Sequence, residues 1–422
     1  MRIALLSPYS WSYPGGVTRH VQALAEQFAT DGHYVRVLAP LDPPDRVTSL
    51  LHRGTPPQPR VAPEYLVSLG RTVGIAANGA ISNLSVTPHG VVRLHQDLRS
   101  GGYDVVHVHE PVAPALGWFA TSGARLPLVG TFHAYSDRRV PNGLANLLGA
   151  RRVLGRLQVR IAVSDAAAWT GRRWFGGDYR IIPNGVHVDR ARPGRARPIR
   201  VGGPLRIVFV GQPVQRKGLP VLLRAFVALR EQIPAELVMI GPSPAQLSRM
   251  MPDPRGVHAL GQPDDEAKRR ELELADVLCA PSLGGESFGM VLTEALAAAT
   301  PVVASDIAGY REIVRDGVNG LLVPPADPLA LATALRDLWA RPERRAQMGR
   351  AGAADVQRFA WSRVAAQVLD AYQEAIATRR ASVRFAERRQ GSAWRGIGAT
   401  GPSRRVAPRA AVSQATGRER VA

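Results

Sequence analysis

Short apolar runs alternate along the chain with segments whose apolar residues recur every three or four positions. The chain opens with the run RIALLS, continues with Val17, Val21, Leu24 and Phe28 at helical spacing, and returns to the apolar run YVRVLAP. Runs that are apolar throughout are typical of strands buried on both faces, while the recurring spacing indicates an amphipathic helix. The opening therefore predicts a βαβ unit with parallel strands.

This alternation continues to about residue 190 and starts again near residue 205. The later apolar runs are DVVHVHE, LPLVGTFH and VRIAVSD in the first half, and PLRIVFVGQ, AELVMIG, VHALG, ADVLCAPS and TPVVAS in the second. Between them, RARPGRARPIRVGG is rich in Pro, Gly and Arg and is typical of a linker. We therefore predict two doubly wound α/β domains, 1–190 and 205–360, joined by the linker 191–204. Ligands of such sheets bind beyond the carboxyl ends of the strands, so we expect one cleft between the two domains.

Composition changes this picture mainly at the C-terminus. The chain has 422 residues, 45% of them hydrophobic and 21% charged, which is typical of a globular protein. Its net charge is +20, and the segment from Arg379 onward holds eleven arginines against two glutamates, or +9. Because residues 380–422 have little apolar periodicity and many Gly, Pro and Ser residues, we predict a basic, disordered tail there. Nucleic acid, anionic lipid and a general compositional bias all remain open as explanations of its charge.

The same sequence favours a cytoplasmic protein. Cys279 is the only cysteine, so no intrachain disulfide can form, and no apolar run has the length of a signal segment or a membrane span. The stretch DRRVPNGLANLLGARRVLGRLQVR nevertheless combines arginines with leucines in a basic amphipathic pattern. It predicts either peripheral contact with an anionic membrane or a helix packed on the first sheet with a solvated arginine face.

Several residues suited to phosphate or sugar chemistry follow the predicted strands. Gly15 and Gly16 form a strand-to-helix turn, and Arg216 and Lys217 lie in GQPVQRKG, directly after a strand. Glycine turns and basic side chains at such positions are typical of phosphate sites. His107 and His109 share one face of a strand, but no third ligand shows the spacing usual for zinc, so we predict no metal site.

Together these motifs resemble glycosyltransferase family 4, and within it the bacterial phosphatidylinositol mannosyltransferases. The resemblance depends on the two glutamates Glu286 and Glu294 in GGESFGMVLTEALAAATPVVAS, preceded in order by PYSWSYPGGV, HVHEP, TFH, AVSD and IPNGV. It extends over roughly residues 1–377 and implies the GT-B fold, in which two Rossmann-like doubly wound domains face each other across a cleft. In that fold the last helix, which we place at 361–379 and which the stretch FAWSRVAAQVLDAYQEAIA (359–377) matches, crosses back to the N-terminal domain.

The resemblance also implies roles for individual residues. Glu286 and His133 would contact the transferring sugar, and Lys217 would balance the diphosphate charge, so these three are the predicted catalytic residues. The residues implied to bind the donor are Gly15, Gly16, Arg216, Asp265, Lys268, Ser287, Phe288, Gly289 and Glu294, and those implied to bind the acceptor are Tyr9 and Tyr13. Asp265 and Lys268 match positions that contact guanine, so the expected donor is GDP-mannose, with UDP-sugars still open. The acceptor would be an inositol lipid or a related polyol, and we expect no further cofactor and no specific nucleic acid.

Two positions depart from the family pattern. Gln212 stands where the diphosphate loop usually carries arginine, and Arg216 is expected to take over its role. Ser12 and Tyr13 stand where the mannosyltransferases carry an aspartate, which leaves the acceptor open. Family members retain the anomeric configuration, and because no carboxylate pair flanks the reacting carbon, front-face attack is favoured over double displacement. A GT-B-type sugar-nucleotide epimerase and a basic nucleic-acid-binding protein are the alternatives from other functional classes.

Overall fold

The computed structural model describes residues 1–52, 56–58, 61–77, 80–85, 88–113, 116–123, 125–137, 139–188 and 202–397. Residues 1–377 form one compact unit, and a second unit begins at Thr378. Most of the predicted linker and the end of the predicted tail, 398–422, lie outside the described residues, so the predictions for them stay predictions.

Strands and helices alternate along both halves of the first unit. The first half contains β1 (Arg2–Leu6), α1 (Gly16–Thr30), β2 (Tyr34–Ala39), α2 (Arg46–Leu51), β3 (Leu66–Ser68), β4 (Val73–Ala77), β5 (Ala80–Leu84), α3 (Pro88–Ser100), β6 (Val105–His109), α4 (Leu116–Gly123), β7 (Leu128–Phe132), α5 (Arg139–Leu147), α6 (Ala150–Leu154), β8 (Val159–Ala162), α7 (Asp165–Phe175) and β9 (Arg180–Ile181). The second half contains β10 (Leu205–Val210), α8 (Leu219–Arg230), β11 (Ala235–Ile240), α9 (Pro244–Met250), β12 (Val257–Ala259), α10 (Asp265–Leu274), β13 (Val277–Ala280), α11 (Met290–Ala297), β14 (Val302–Ser305), α12 (Ala308–Arg311), β15 (Gly320–Val323), α13 (Pro328–Ala340) and α14 (Pro342–Asp355). Two 3-10 turns, Gln215–Lys217 and Val356–Phe359, and the long helix α15 (Trp361–Ile397) complete the described elements.

Each half forms one parallel sheet. The strand order is β3-β2-β1-β6-β7-β8-β9 in the first sheet and β12-β11-β10-β13-β14-β15 in the second, while β4 and β5 form a separate antiparallel pair. The strand order changes direction between β1 and β6, and again between β10 and β13. These two places are the topological switch points where doubly wound sheets bind ligands. The two parallel sheets confirm the predicted α/β class.

The central strands are buried on both faces. In β1, Ala4 and Leu6 join one apolar cluster, while Ile3 and Leu5 join another that includes residues of α1 and α15. All five residues of β6 are buried. Fully burying an aliphatic side chain stabilises a fold by about 1.5–3 kcal/mol, so these continuous apolar runs hold helices on both sides of the sheet.

Helix α15 returns the chain to the first half. Trp361 packs so closely on Gly185 that a Cβ added there would lie 2.3 Å from the indole ring. The Tyr372 hydroxyl forms a 2.8 Å hydrogen bond with His107 Nδ1, and Thr131 Oγ1 lies 2.6 Å from His107 Nε2. The other residues of α15 that join the apolar cluster of β1 are Val364, Ala365, Val368, Ala371 and Ala375. Their helical spacing shows that one face of α15 docks on the first sheet.

The C-terminal boundary of α15 differs from the sequence prediction. The helix continues to Ile397, whereas we predicted that it ends at Arg379 and that a disordered tail follows. The physical reason lies in the residues after Arg379, since RRASVRFAERRQ contains no Gly or Pro and is rich in the helix formers Ala, Arg and Glu. Within the described part of the chain, no helix combines the length and the apolar character needed to cross a membrane.

Replacing Tyr372 by phenylalanine should loosen the docking of α15. The change leaves His107 Nδ1 without its partner in a fully buried place, which typically costs about 1–3 kcal/mol of the free energy of unfolding. Urea denaturation would measure the loss, with Tyr135→Phe as the control, because the Tyr135 hydroxyl forms no hydrogen bond with the described residues. Equal stability of the Tyr372→Phe variant and the wild type would show that this contact does not hold the helix.

Candidate active site

The glycine turn after β1 lies opposite the N-terminus of α11. Helix α1 begins at Gly16 and α11 begins at Met290, and a Cβ added at Gly16 would lie 3.6 Å from the Met290 sulfur. The first amide groups of a helix lack intrahelical partners and carry partial positive charge. Two helix N-termini that meet between the two sheets therefore favour an anionic ligand at this place.

Glu286 is paired with both cations of the turn after β10. Its Oε1 contacts Arg216 Nη1 and lies 2.9 Å from Lys217 Nζ. The N–H of Leu283 donates a 2.8 Å hydrogen bond to the Arg216 carbonyl, which ties the basic turn to the Glu286 loop. The Glu286 side chain is only 11% exposed, so solvent screens these contacts weakly. Three residues predicted for the site thus form one ion cluster with a net positive charge.

The backbone that carries Glu286 depends on two glycines. Gly289 has a φ of +88°, and a Cβ there would lie 2.7 Å from the Tyr310 ring. A Cβ at Gly309 would lie 2.2 Å from the Glu286 carbonyl oxygen, so only glycine lets α12 approach this loop. The side chain of the predicted donor residue Phe288 is 2% exposed and belongs to the core. Phe288 can therefore face a ligand only through its backbone.

A second ion cluster surrounds the start of α10. Asp265 pairs with Arg19 of α1, in the first domain, and Lys268 Nζ lies 3.4 Å from Asp265 and 2.8 Å from Glu294. Burial raises the pKa of Asp265, but Arg19 and Lys268 outweigh it and hold that pKa below its ordinary value. The predicted residues Asp265, Lys268 and Glu294 therefore lie together, and a residue of the opposite domain completes their cluster.

Two more polar contacts join the domains along the cleft. Gln58 Nε2 donates to Gln262 Oε1 at 2.9 Å, and the Asp165 backbone N–H donates to Glu312 Oε1 at 2.7 Å. The second contact places a carboxylate at the N-terminus of α7, where the helix dipole stabilises negative charge. The two sheets therefore face one shared cleft that is bounded by side chains of both domains.

His133 lies after β7 among other buried histidines. Its Nε2 is 3.1 Å from His109 Nδ1, and the His20 ring lies 4.9 Å from the His133 ring and 5.4 Å from the His109 ring, between centroids. Burial lowers the pKa of all three rings, and that of His20 falls to about 4. Near pH 7, His133 is therefore a neutral imidazole in the site.

The sequence suggests that His107 and His109 act together, but the fold places His109 with two other histidines instead. His107 is held by Tyr372 and Thr131, whereas one nitrogen from each of His20, His109 and His133 lies within 4.8 Å of the others. Sequence spacing did not indicate this grouping, because His20 and His133 come from separate elements that only the sheet brings together, and the prediction of no metal site stays a prediction.

Glu110, directly after β6, fixes the loop that carries His133. The backbone N–H of His133 donates to Glu110 Oε2 at 3.0 Å. Burial raises the pKa of Glu110 to about 7, although the backbone N–H groups of His133 and Ala134 oppose that rise. Its φ of +49° is uncommon for a residue with a side chain and costs on the order of 1 kcal/mol. Such backbone strain is typical of functional sites.

The residues predicted to bind the acceptor lie beside the antiparallel pair. Tyr13 stacks on His52 with ring centroids 4.2 Å apart and an interplanar angle of 25°, and Tyr9 forms an isolated bridge with Leu84 at the end of β5. His52 Nδ1 lies 3.0 Å from Asn83 Oδ1. Burial, and next the Asp42 carboxylate, raises the pKa of Tyr13 to about 12. The Tyr13 hydroxyl is therefore protonated near pH 7 and can act as a hydrogen-bond donor.

The structure adds residues that the sequence did not predict. Arg19 and His20 follow the glycine turn within the first turns of α1, Glu110 ends the HVHE run, and Glu312 joins the domains. Proximity to a strand end or a glycine turn is the signal that could have indicated the first three. Glu312 has no such signal, because its contact depends on how the two domains meet.

Comparison with known proteins places the chain in a family. A model described as Glycosyltransferase Family 4 matches residues 14–190, and one described as Glycosyl transferases group 1 matches residues 204–341. The phosphatidyl-myo-inositol mannosyltransferase of Mycobacterium leprae is 40% identical over 92% of this chain and 100% of its own length. The chain belongs to glycosyltransferase family 4. A D-inositol 3-phosphate glycosyltransferase of Xylanimonas cellulosilytica is 31% identical over 86% of this chain and 93% of its own length.

Solved structures show the same fold. Sucrose-phosphate synthase from Thermosynechococcus elongatus superposes with a TM-score of 0.68 at 24% identity, covering 90% of this chain and all of that one. This likeness confirms the predicted GT-B arrangement. By its family, the chain is therefore a glycosyltransferase, and its relatives imply a nucleotide-sugar donor.

Replacing Glu286 by glutamine should separate nucleotide binding from sugar transfer. Arg216 and Lys217 lose their internal carboxylate partner, so we expect GDP and UDP to bind at least as tightly as to the wild type. Transfer should fall by about 100-fold or more, because the sequence predicts that the Glu286 carboxylate lies beside the reacting sugar. Calorimetry and single-turnover assays measure the two effects, and Glu266→Gln on the exposed face of α10 serves as the control. Wild-type turnover in the folded variant would rule out a catalytic role for Glu286.

Proposed function

We propose that this glycosyltransferase moves mannose from GDP-mannose onto the inositol ring of phosphatidylinositol, with retention of the anomeric configuration. The observation that carries the proposal is the 40% identity, over 92% of this chain, to a protein named as a phosphatidyl-myo-inositol mannosyltransferase. The more distant relative named as a D-inositol 3-phosphate glycosyltransferase supports the acceptor group, because both names specify an inositol that bears a phosphate.

The ion cluster at Glu286 supports a diphosphate donor. Arg216 and Lys217 are two cations on one short turn, and together with the N-terminus of α11 they favour a doubly charged ligand. When the diphosphate engages the cations, Glu286 can turn its oxygens toward the sugar hydroxyls. The same carboxylate thus keeps the basic turn in place before the donor arrives.

The second ion cluster supports guanine as the base. A carboxylate accepts hydrogen bonds, and guanine offers both N1–H and the N2 amino group, whereas uracil offers only N3–H. The Asp265 side chain is 64% exposed although it pairs with Arg19 and Lys268, so its remaining lone pairs are accessible. Glu294, on the other side of Lys268, is suited to the ribose hydroxyls.

The proposed reaction needs no enzyme nucleophile. An inositol hydroxyl attacks the anomeric carbon from the face that the diphosphate leaves, the carbon–oxygen bond to the phosphate breaks, and the hydroxyl proton passes to the departing phosphate oxygen. Arg216, Lys217 and the amides at the start of α11 stabilise the charge that develops on the diphosphate. His133, neutral and buried, can donate or accept one hydrogen bond to the transferring sugar.

The donor assignment predicts a base-selective loss. Wild-type protein should transfer labelled mannose from GDP-mannose to phosphatidylinositol in vesicles, and Asp265→Ala should weaken GDP binding by about tenfold or more, since a charged hydrogen bond is worth about 1.5–3 kcal/mol. UDP binding should change little. Product analysis by mass spectrometry and calorimetry with both nucleotides measure these effects.

Arg19→Gln is the matched control for this test, because it also breaks the pair between the domains but keeps the carboxylate. Equal losses of GDP and UDP affinity in Asp265→Ala would contradict base recognition. Transfer from UDP-glucose or UDP-N-acetylglucosamine, with none from GDP-mannose, would overturn the donor assignment.

A lipid acceptor requires contact with a membrane, and one exposed apolar surface fits that need. Leu144 and Leu147 of α5 and Leu148 directly after it are 54%, 84% and 64% exposed, and the exposed Arg151 and Arg152 follow them. In contrast, Leu154 and Leu157 of the same amphipathic stretch are buried. Each of the two predictions for this stretch therefore applies to one part of it. One part packs in the fold, and the other presents exposed leucines beside arginines.

The double variant Leu147→Gln/Leu148→Gln should bind anionic vesicles at least about tenfold more weakly. Even one leucine that leaves water for the membrane contributes about 1.5–3 kcal/mol. Co-sedimentation with phosphatidylinositol vesicles at low and high salt measures the change. Leu50→Gln/Leu329→Gln, which replaces two leucines exposed elsewhere, is the control. Unchanged binding of the α5 variant would show that these leucines do not anchor the protein, and that another part of the chain does.

A further inference from the structure

Three buried histidines gather at the first switch point from three different elements. His20 lies in α1, His109 ends β6, and His133 follows β7. One imidazole nitrogen from each lies within 4.8 Å of the other two, and His109 Nδ1 forms a 3.1 Å hydrogen bond with His133 Nε2. The strands β6 and β7 are neighbours, with His109 paired to Thr131, so the sheet itself sets this spacing.

Two nitrogens of this cluster lack hydrogen-bond partners among the described residues. They are His20 Nδ1 and His109 Nε2, and both are buried. Buried polar atoms are normally paired, so each such atom calls for a specific explanation. A bound cation is one such explanation, because a neutral imidazole can donate its nitrogen lone pair to a metal ion where no N–H group reaches that nitrogen.

All three rings are buried, so the cluster is shielded from solvent. Asn184 lies beside the cluster, because its side chain opposes the lowering of the pKa of both His20 and His133. Its Oδ1 is buried beside these rings, which makes it a candidate fourth ligand.

We propose that His20, His109 and His133 form a binding site for a divalent transition-metal ion, with Zn²⁺ as the preferred occupant, and that the ion inhibits sugar transfer. Three imidazoles and one oxygen suit Zn²⁺ and Co²⁺ better than Mg²⁺ or Ca²⁺, which prefer oxygen ligands alone. A bound ion would engage the His133 ring, which the proposed function assigns to the donor sugar. The binding site stands on geometry alone, whereas the inhibition rests on the proposed function.

Metal binding is tested on the full-length chain, without a histidine tag and after treatment with a chelator. Cobalt absorption in the visible range reports the coordination, and competition with a chromophoric chelator gives the Zn²⁺ affinity at pH 7.5. We expect one ion per chain, and a loss of affinity of about tenfold or more in His20→Gln/His109→Gln. His89→Gln/His258→Gln removes two exposed histidines from elsewhere and should bind as the wild type does.

The thermal stability of every variant is measured without metal, and then with Zn²⁺. If the double variant fails to fold, the single variants His20→Gln and His109→Gln decide, since each removes one of three ligands. The site is disproved if the wild type binds neither ion at about 100 µM, or if the cluster variant and the control bind Zn²⁺ equally. Binding at this concentration is well within the range expected of a three-histidine site.

Inhibition is measured as the fraction of each variant's own metal-free transfer rate. In the wild type, transfer should fall over the same Zn²⁺ range in which the ion binds, and His20→Gln should need about tenfold more Zn²⁺ for the same fractional loss. Binding of Zn²⁺ without any loss of transfer would overturn the inhibition but leave the site. Absence of mannose transfer in metal-free protein would reject the proposed function, while the binding measurements would still decide the metal site.

Discussion

All strands of each large sheet run parallel, and this constraint brings the functional side chains together. The loops after β1, β6 and β7 leave the first sheet at one edge, and the loops after β10 and β13 leave the second sheet at the edge that faces it. Gly16, His133, Lys217 and Glu286 are far apart in sequence but lie at these strand ends. The return of α15 to the first domain, with Tyr372 bonded to His107, ties the end of the second domain to the sheet that carries the histidines.

Charged groups in the cleft are paired with each other. When a sugar nucleotide binds, its atoms would replace these partners. Arg216 and Lys217 share one oxygen of Glu286, while Lys268 lies between Asp265 and Glu294. Breaking a partly buried ion pair carries a desolvation cost unless another charge replaces the lost partner. In the proposed function, a diphosphate, a sugar and a base would provide such replacements, so the internal pairs would keep the side chains positioned at little cost to binding. The ion pair between Arg19 and Asp265 is a contact between the two domains, and a donor that takes over Asp265 would replace this pair as well.

Burial governs the chemistry of the first domain's part of the site. The same low-polarity surroundings that keep His20, His109 and His133 neutral raise the pKa of Glu110 to about 7. A neutral imidazole can contact a sugar hydroxyl or coordinate a metal ion, but not both through the same nitrogen. Under the two proposals, sugar recognition and metal binding would compete for the His133 ring.

The apolar pattern by itself determined the two parallel sheets and the strand ends at which Gly16, Lys217 and Glu286 lie, because a buried parallel strand needs a continuous apolar run and its ligands lie at its carboxyl end. The motif order also indicated the family, which the 40% identity to a curated relative then showed. Sequence spacing paired His107 with His109, since neighbours in a strand are visible in the sequence. Only the tertiary structure brought His20 and His133 to His109, placed Arg19 on Asp265 and buried the Phe288 ring. Contacts between distant segments depend on strand order, on the crossing of α15 and on the meeting of two domains, and no local spacing of residues encodes these.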